Sequence, residues 1–419
     1  MVLILKIKRM MKDYKLNKAL VLFVVLGAIS FCVKGQLNHS GPYLMDELSH
    51  QQNVELFKKK DKDFLRKVQI LVKKSDIILK NPNYSVTFFK DGKIAPSGNK
   101  HDYYSISTYH DLDEKGNIRF KDGKRNSSIR DFRDKQQLWD MVVDLQVLSL
   151  TYYFTKDERY GKKARELLSV FFLNKETAMN PNLNYAQVRP DTKLGTFSGL
   201  VDVVVITQIP DIFYLFKGSK NFDNQFTNRI VDWFKQYLQW LQQSKPGKIA
   251  SIQKNNQVNY YNTQVAVFKL FTGRDPETVK KEVYDKAIKS VQIQIDSEGK
   301  QPLELKRATP IGYSVYNLKG IMLLASLSDN IKGKDIWNYS YNGSSLKSAL
   351  QWLNKTYKDQ GSKNIRVNAN YETITSTTLW DLYMRAIPRI KGLQVDNTVL
   401  NRKNDNLLAT YFMSRNKLK

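Results

Sequence analysis

The feature that most constrains the fold of this chain is a series of segments whose apolar residues recur at helical spacing. In residues 54–79, and again in residues 223–243, apolar side chains return every three or four positions, which is the period of an amphipathic helix. Strict alternation of apolar and polar residues, the pattern of a half-buried strand, is scarce. The sequence therefore predicts an all-α fold.

The helical segments follow one another along most of the chain. Helices are predicted at residues 54–79, 128–154, 158–172, 223–243, 260–271, 276–293, 314–327, 344–357 and 375–386. Ser127 or Ser128 is expected to cap the second helix, and Pro276 suits the first turn of the sixth. Successive pairs of similar length are typical of helical hairpins arranged in a ring or solenoid. We expect one domain over residues 36–419.

The first 35 residues have the composition of an export signal. Six basic residues stand among the first 18 against one acid, and residues 19–33 (ALVLFVVLGAISFCV) carry no charge. A basic segment before a short apolar one is typical of a signal peptide, whereas a transmembrane helix needs about 20 apolar residues. We expect cleavage after Gly35 and a secreted or periplasmic protein without stable membrane insertion. An uncleaved signal anchor is the alternative.

The charge balance restricts the possible partners. The chain has 67 Lys and Arg against 40 Asp and Glu, a net charge of +27, and without residues 1–35 it keeps 60 against 39. This excess favours a polyanion, and export favours an acidic polysaccharide over nucleic acid. The single cysteine excludes a disulfide scaffold and multi-thiolate metal sites, and four histidines argue against a multi-histidine centre. No metal or cofactor is predicted.

Four polar clusters are candidates for chemistry. They are PSGNKHDYYS at 96–105, MNPNLNYAQ at 179–187, NNQVNYYN at 255–262, and ELKR at 304–307 with Tyr313 and Ser314. Amides can bond carboxylates and hydroxyls, and tyrosines can stack on sugar rings. Each cluster alone fits turn and capping chemistry better, but four together on a basic exported chain favour carbohydrate. The long irregular segment 84–127 is also expected to be functional.

In this order along the chain, the clusters resemble the alginate lyase superfamily of helical toroid polysaccharide lyases. The similarity includes WLQQS at 240–244, QPLEL at 301–305 and DIWNY at 335–339, and it extends over about residues 84–357. The resemblance implies an (α/α) toroid of paired helices around a deep cleft. It also implies β-elimination on a uronate-containing polysaccharide such as alginate, without a metal.

The resemblance further implies roles for individual residues. In such lyases an amide and an arginine neutralise the carboxylate at C5 of the sugar, and a tyrosine carries the proton. These roles fall on Asn256, Arg307 and Tyr313, the candidate catalytic residues. The candidate substrate-binding residues are Gln257, His101, Tyr103, Asn182, Tyr185, Gln187 and Tyr261.

Three departures from the family pattern leave two functions open. Gln257 stands where the family has a histidine, residues 195–199 (GTFSG) lack the family arginine, and Tyr109 with His110 replaces an aromatic pair. Glutamine cannot act as a base. One interpretation is a lyase in which Tyr313 is both base and acid, which requires the C5 proton and O4 on the same sugar face. The other is a catalytically inactive relative that binds an acidic glycan. His101 could supply an imidazole, but an orienting or structural role is favoured for it.

Overall fold

Helices dominate the described part of the chain. The computed structural model describes residues 41–360, 364–367, 370–373, 376–396 and 407–412, so the signal peptide predicted for residues 1–35 lies outside it. The α-helices are α1 (Glu47–Lys58), α2 (Lys62–Ile78), α3 (Asp134–Thr155), α4 (Glu158–Phe172), α5 (Ile209–Leu215), α6 (Asn224–Gln243), α7 (Lys245–Ser251), α8 (Asn256–Phe271), α9 (Pro276–Gln294), α10 (Pro302–Leu305), α11 (Pro310–Asn330), α12 (Leu346–Gln360), α13 (Ser376–Ala386) and α14 (Leu407–Tyr411). The prediction of an all-α fold is confirmed.

The strands of this part are short and pair two by two. They are β1 (Tyr104–Ile106), β2 (His110–Leu112), β3 (Ile118–Phe120), β4 (Tyr185–Val188), β5 (Ser340–Tyr341), β6 (Ser344–Ser345), β7 (Asn364–Val367) and β8 (Asn370–Thr373). β1 runs parallel to β4, and the pairs β2–β3, β5–β6 and β7–β8 are antiparallel. The 3₁₀-helices are Ser127–Asp131, Phe197–Asp202 and Val204–Gln208.

The structure corrects three sequence predictions in the first third of the chain. The single helix predicted over 54–79 is wrong, because Lys60 adopts a left-handed φ of +55° and Asp61 starts a new helix by accepting the amide hydrogen of Phe64 at 2.8 Å. The helix predicted from residue 128 begins at Asp134 instead. The preceding turn is a 3₁₀-helix that Asn126 caps, rather than Ser127 or Ser128.

A buried polar network joins the three helices that carry most of the candidate site. Asn259 of α8 donates to Gln294 of α9 at 2.8 Å and to Asn317 of α11 at 2.7 Å, and its oxygen accepts from Ser290 at 2.6 Å. Gly320 lets α11 come close, because a Cβ there would lie 2.7 Å from the Cβ of Asn259. Satisfied buried amides of this kind fix the register of packed helices. The first turns of α8 and α11 are thereby held in place.

A segment near the start of the described chain, residues 42–46, is buried among distant helices, and we name it the N-terminal strap. Asp211 of α5 accepts the amide hydrogens of Tyr43, Leu44 and Met45 at 2.5, 2.9 and 2.9 Å. Asn330 of α11 donates to the carbonyls of Tyr43 and Met45. Arg385 of α13 donates to the carbonyl of Leu44 and, at 3.0 Å, to that of the last residue of α14. The strap therefore links the middle of the chain to its last helices.

None of the helices within the described ranges is both long and apolar enough to cross a membrane.

Candidate active site

Arg307 and Tyr313 form the centre of the candidate site. Arg307 lies between α10 and α11, and Tyr313 stands in the first turn of α11, which Pro310 begins. The Nη2 atom of Arg307 donates to the Tyr313 hydroxyl at 2.8 Å, and the guanidinium carbon lies 3.7 Å from the centre of the tyrosine ring. Both side chains are only partly buried, so a ligand can reach them.

The β2–β3 hairpin brings two further side chains to this pair. The hydroxyl of Tyr109 lies 2.8 Å from that of Tyr313. Asp122 accepts from Arg307 Nε at 2.9 Å and Nη2 at 2.7 Å, and from the Ala308 amide at 2.9 Å. Tyr109 and Asp122 stand at the base of the hairpin, on opposite sides of it, where the Tyr109 carbonyl accepts the amide hydrogen of Lys121. The irregular segment 84–127 thus contributes directly to the cluster.

Burial and charge act on the two central groups in different ways. Burial raises the pKa of Tyr313 well above its ordinary value, and Tyr109 raises it further, while the positive charge of Arg307 lowers it. Burial disfavours the charged form of Arg307, but the hydrogen bonds to Asp122, together with the charges of Tyr313, Asp122 and Glu304, raise the pKa of Arg307 above its ordinary value. Arg307 is a permanent cation, and Tyr313 is a neutral hydroxyl at neutral pH.

Asn256 is close in the network but its amide is already engaged. It is the first residue of α8, it is 2% exposed, and its side-chain nitrogen donates to both carboxylate oxygens of Glu304 at 3.0 and 3.1 Å. Burial raises the pKa of Glu304, against the lowering effect of these hydrogen bonds. The carbonyl of Glu304 accepts the amide hydrogen of Arg307 at 3.0 Å, and the positive charge of Arg307 lowers the pKa of the Glu304 carboxyl.

The remaining residues of the third polar cluster have fewer contacts. Gln257 is partly exposed, and its Oε1 atom is buried without a hydrogen-bond partner among the described residues. Tyr261 is 9% exposed, and burial raises its pKa. Gln257 therefore retains a free acceptor next to Asn256, while Tyr261 offers little surface.

The candidates of the first two clusters stabilise loops. His101 Nδ1 lies 2.7 Å from the carbonyl of Ala178, and Asn182 accepts the amide hydrogen of Asn184 at 3.1 Å. Tyr185 opens β4 opposite Tyr104 of β1. All three candidates are partly exposed, and the hydrogen bonds of Tyr313 among the described residues go to Arg307 and Tyr109 instead.

Two of the predicted substrate-binding side chains, those of Tyr103 and Gln187, are buried. Tyr103 is 1% exposed, with its hydroxyl 3.4 Å from Asp202, and Gln187 is 7% exposed and donates to Asp202 at 3.0 Å. Asp202 also accepts from Ser105 at 2.7 Å and pairs with Lys135 at 2.7 Å. These contacts support the β1–β4 region.

Sequence reasoning missed Tyr109, Asp122 and Glu304 as members of the site. In the sequence Tyr109 stands out only as a departure from the family pattern, and Glu304 only as the first residue of the fourth polar cluster. Asp122 lies in a charged loop with no local signal, and only the fold places it beside Arg307. Within the described residues no group of three or more His, Cys, Asp or Glu is arranged to hold a metal ion.

Comparison with known proteins identifies the family. A crystal structure of an alginate lyase from Bacteroides ovatus matches with a TM-score of 0.72 and 27% identity, over 85% of this chain and 95% of that one. An alginate lyase from a Sphingomonas species matches with a TM-score of 0.43 and 13% identity, over 69% of this chain and 77% of that one. No curated protein sequence matches the chain.

The first of these matches shows that the paired helices form an (α/α) toroid, as the resemblance implied. The sequence model described as Alginate lyase matches residues 89–362, which is more than half of the chain and includes all four polar clusters and the β2–β3 hairpin. The chain belongs to the alginate lyase family.

Proposed function

We propose that this protein is a lyase that cleaves a uronate-containing polysaccharide, such as alginate, by β-elimination. The observation that carries the proposal is the hydroxyl of the partly exposed Tyr313, held 2.8 Å from both Arg307 Nη2 and the Tyr109 hydroxyl. A tyrosine between a cation and a second hydroxyl can lose and regain a proton at one point in space. Membership of the alginate lyase family supports the assignment of the polymer.

In the proposed reaction Tyr313 is both base and acid. The ionised Tyr313 takes the C5 proton of the uronate, the electron pair forms the C4–C5 double bond, and the C4–O4 bond breaks. The proton then passes from Tyr313 to O4, which restores the ionised tyrosine and leaves an unsaturated uronate at the new chain end. One residue can serve both steps only if the C5 proton and O4 lie on the same face. We therefore propose a uronate with that configuration.

Arg307 and Gln257 are proposed to stabilise the negative charges of the reaction. Arg307 stabilises the ionised form of Tyr313 through Nη2, since charge-assisted hydrogen bonds are stronger than neutral ones. Its Nη1 atom and the amide of Gln257 are the groups we assign to the C5 carboxylate, because the Asn256 amide is held by Glu304. Stabilising charge that develops in the transition state is a large contribution to catalysis.

A non-catalytic glycan-binding protein is the second candidate. It is favoured by Gln257 in place of the family histidine and by the engagement of Asn256 with Glu304, which removes the amide from the carboxylate site. The net charge of +27 predicts binding to an acidic glycan in either case.

We further propose that the protein is exported. Residues 1–35 would be its signal peptide and residues 36–419 the toroid domain, with the polymer bound in a cleft that exposes Arg307 and Tyr313. The basic and apolar composition of residues 1–33 supports export, and an extracellular polysaccharide is accessible only there.

The test is the ultraviolet absorbance of unsaturated uronate ends during incubation with a panel of polyuronates. We expect product from a polymer whose C5 proton and O4 share a face. Tyr313→Phe should reduce the rate about 10²–10⁴-fold while leaving glycan affinity nearly unchanged, because the ring remains and only the proton carrier is lost. Tyr341→Phe, at a 49% exposed tyrosine on β5, is the matched control and should retain full activity.

Two results would contradict the proposal. Binding of polyuronates without any product from the wild type would favour the glycan-binding alternative. Full activity in Tyr313→Phe would show that another residue carries the proton.

A further inference from the structure

We infer that Asp122 is a positioning residue that orients Arg307 toward the Tyr313 hydroxyl, an inference that rests on the lyase function proposed above. Asp122 touches neither the reacting tyrosine nor the groups assigned to the substrate, but it holds the guanidinium from the side. It comes from the β2–β3 hairpin, more than 180 positions away from Arg307 in the chain.

Both carboxylate oxygens of Asp122 accept hydrogen bonds from Arg307 and its neighbour Ala308. One oxygen accepts from Arg307 Nε and from the Ala308 amide, both at 2.9 Å, and the other accepts from Arg307 Nη2 at 2.7 Å. A two-point contact between a carboxylate and a guanidinium fixes the plane of the guanidinium as well as its position. The Ala308 amide fixes the carboxylate in turn, so that the arginine has one orientation.

The fixed orientation decides which atom meets Tyr313. Arg307 Nη2 donates to Asp122 and also, at 2.8 Å, to the Tyr313 hydroxyl. Without Asp122 the guanidinium could turn about its long side chain, and the hydrogen bond that stabilises the ionised tyrosine would form only part of the time. A displacement of about 1 Å in a catalytic group can reduce the rate about 10²-fold.

The hairpin is docked closely enough to make this contact rigid. Gly123 has a φ of +77°, and a Cβ on it would lie 2.6 Å from the Cβ of Ala308. Asp122 is therefore brought to its partners by backbone that touches the loop before α11. The side chains of Asp122 and Arg307 are 21% and 24% exposed, so water weakens the pair less than it would on an open surface.

The test compares Asp122→Ala with Asp111→Ala. Asp111 pairs with Arg119 across the same hairpin at 3.2 Å, and that pair is 38% and 41% exposed and has no contact with Arg307. We expect Asp122→Ala to lower kcat by roughly 10²-fold with little change in KM. Asp111→Ala should retain both constants within about twofold. Equal losses in the two variants would overturn the inference, because Asp122 would then only support the hairpin.

Added formate gives a second measurement, because it can replace the missing carboxylate. In Asp122→Ala we expect formate to raise Tm and to restore a large part of kcat, and in Asp111→Ala to do neither. The alternative is that the Asp122 carboxylate only competes with the substrate for Arg307, and it predicts the opposite result. Asp122→Ala would then have a lower KM, and formate would inhibit it, which would overturn the inference.

The two proposals can fail separately. A wild type that makes no unsaturated product contradicts the lyase function and, with it, the catalytic role of Asp122. An active wild type whose Asp122→Ala variant keeps its kcat contradicts only the positioning role. If formate raises the Tm of Asp122→Ala by no more than that of Asp111→Ala, the role of Asp122 in holding Arg307 is refuted, whatever the activity.

Discussion

Tyr313 is subject to opposing influences, and their balance predicts how turnover depends on pH. Burial raises its pKa and Arg307 lowers it, with a net result above the ordinary value for tyrosine. A base must be deprotonated to act, so only a small fraction of the protein is competent at neutral pH. We expect kcat/KM to rise steadily from about pH 6 to about pH 10, since the ionised fraction grows tenfold per pH unit below the pKa.

The measurement is the initial rate of product formation in buffers of constant ionic strength. Stability is checked at each pH, so that unfolding is not mistaken for titration. A bell-shaped profile centred near pH 6 would instead indicate an imidazole, with His101 and His110 as the residues to test.

Replacing Gln257 by histidine distinguishes a site that works without the family histidine from a site that has lost its catalytic base. Its Oε1 atom lies buried without a partner in the described part of the structure, so an imidazole placed there meets little resistance from existing hydrogen bonds. If Tyr313 carries the proton alone, Gln257→His should change kcat by less than about threefold. Steady-state kinetics on the preferred polyuronate test this, with Gln253→His on the preceding turn as the control. A rise of 10²-fold or more would mean that the site lacks its base.

The residues of the site differ in how far the sequence could reveal them. Tyr313 and Arg307 were recognisable because they stand in a motif with fixed spacing, and the structure brings them into contact. Tyr103 stands in the same polar cluster as His101, but its side chain is 1% exposed, which the sequence does not reveal. Asp122 could not have been predicted, since its role depends on a contact across 185 positions of sequence.

At the scale of elements, the β2–β3 hairpin is the part most sensitive to a single added methyl group. Gly123→Ala should push the hairpin away from Ala308, because its Cβ would lie 2.6 Å from that residue's Cβ. Asp122 and Tyr109 would then both lose their positions, and we expect kcat to fall at least tenfold. Gly116→Ala is the matched control.

Gly116 lies in the turn of the same hairpin with a φ of +79°, but nothing lies within 4 Å of a Cβ added there. Its replacement carries the same backbone strain, about 1 kcal/mol, without the clash. Kinetics and thermal unfolding of both variants separate the two effects. Similar activities in the two variants would show that the docking of the hairpin is irrelevant to the reaction.

Helices were predictable from the sequence and strands were not. Residues 158–172 were predicted as a helix with the bounds that α4 has, because apolar residues recur at helical spacing throughout the segment, and in the structure Asp157 caps this helix. β1, β2 and β3 have three residues each, which is too few to show an alternating pattern of apolar and polar residues. The break between α1 and α2 was missed because the left-handed residue is Lys60, where a glycine would have signalled it.

For the molecule as a whole, Asp211 is the residue on which the N-terminal strap most depends. Its two oxygens accept three amide hydrogens of the strap. In Asp211→Asn one oxygen becomes an NH₂ group that faces donors, so at least one buried amide loses its acceptor. We expect the free energy of unfolding to fall by about 2–4 kcal/mol.

Chemical denaturation measures this, with Asp232→Asn as the control. Asp232 is a 62% exposed residue of α6 in a surface pair with Lys235, so its change should cost less than about 0.5 kcal/mol. Equal stability of the two variants would mean that the strap contributes little to the folded state.

The N-terminal strap also determines when the chain can finish folding during its synthesis. Its carbonyls and amides are satisfied by Asp211, Asn330 and Arg385, and the amide of Asp46 donates to the carbonyl of Tyr411 at 3.3 Å. The strap is among the first described parts of the chain to leave the ribosome. Its partners Arg385 and Tyr411 are among the last, so these hydrogen bonds can form only after nearly the whole chain has been synthesised. We expect the ring to close only after the last helices have been synthesised, a delay that would favour the export proposed above.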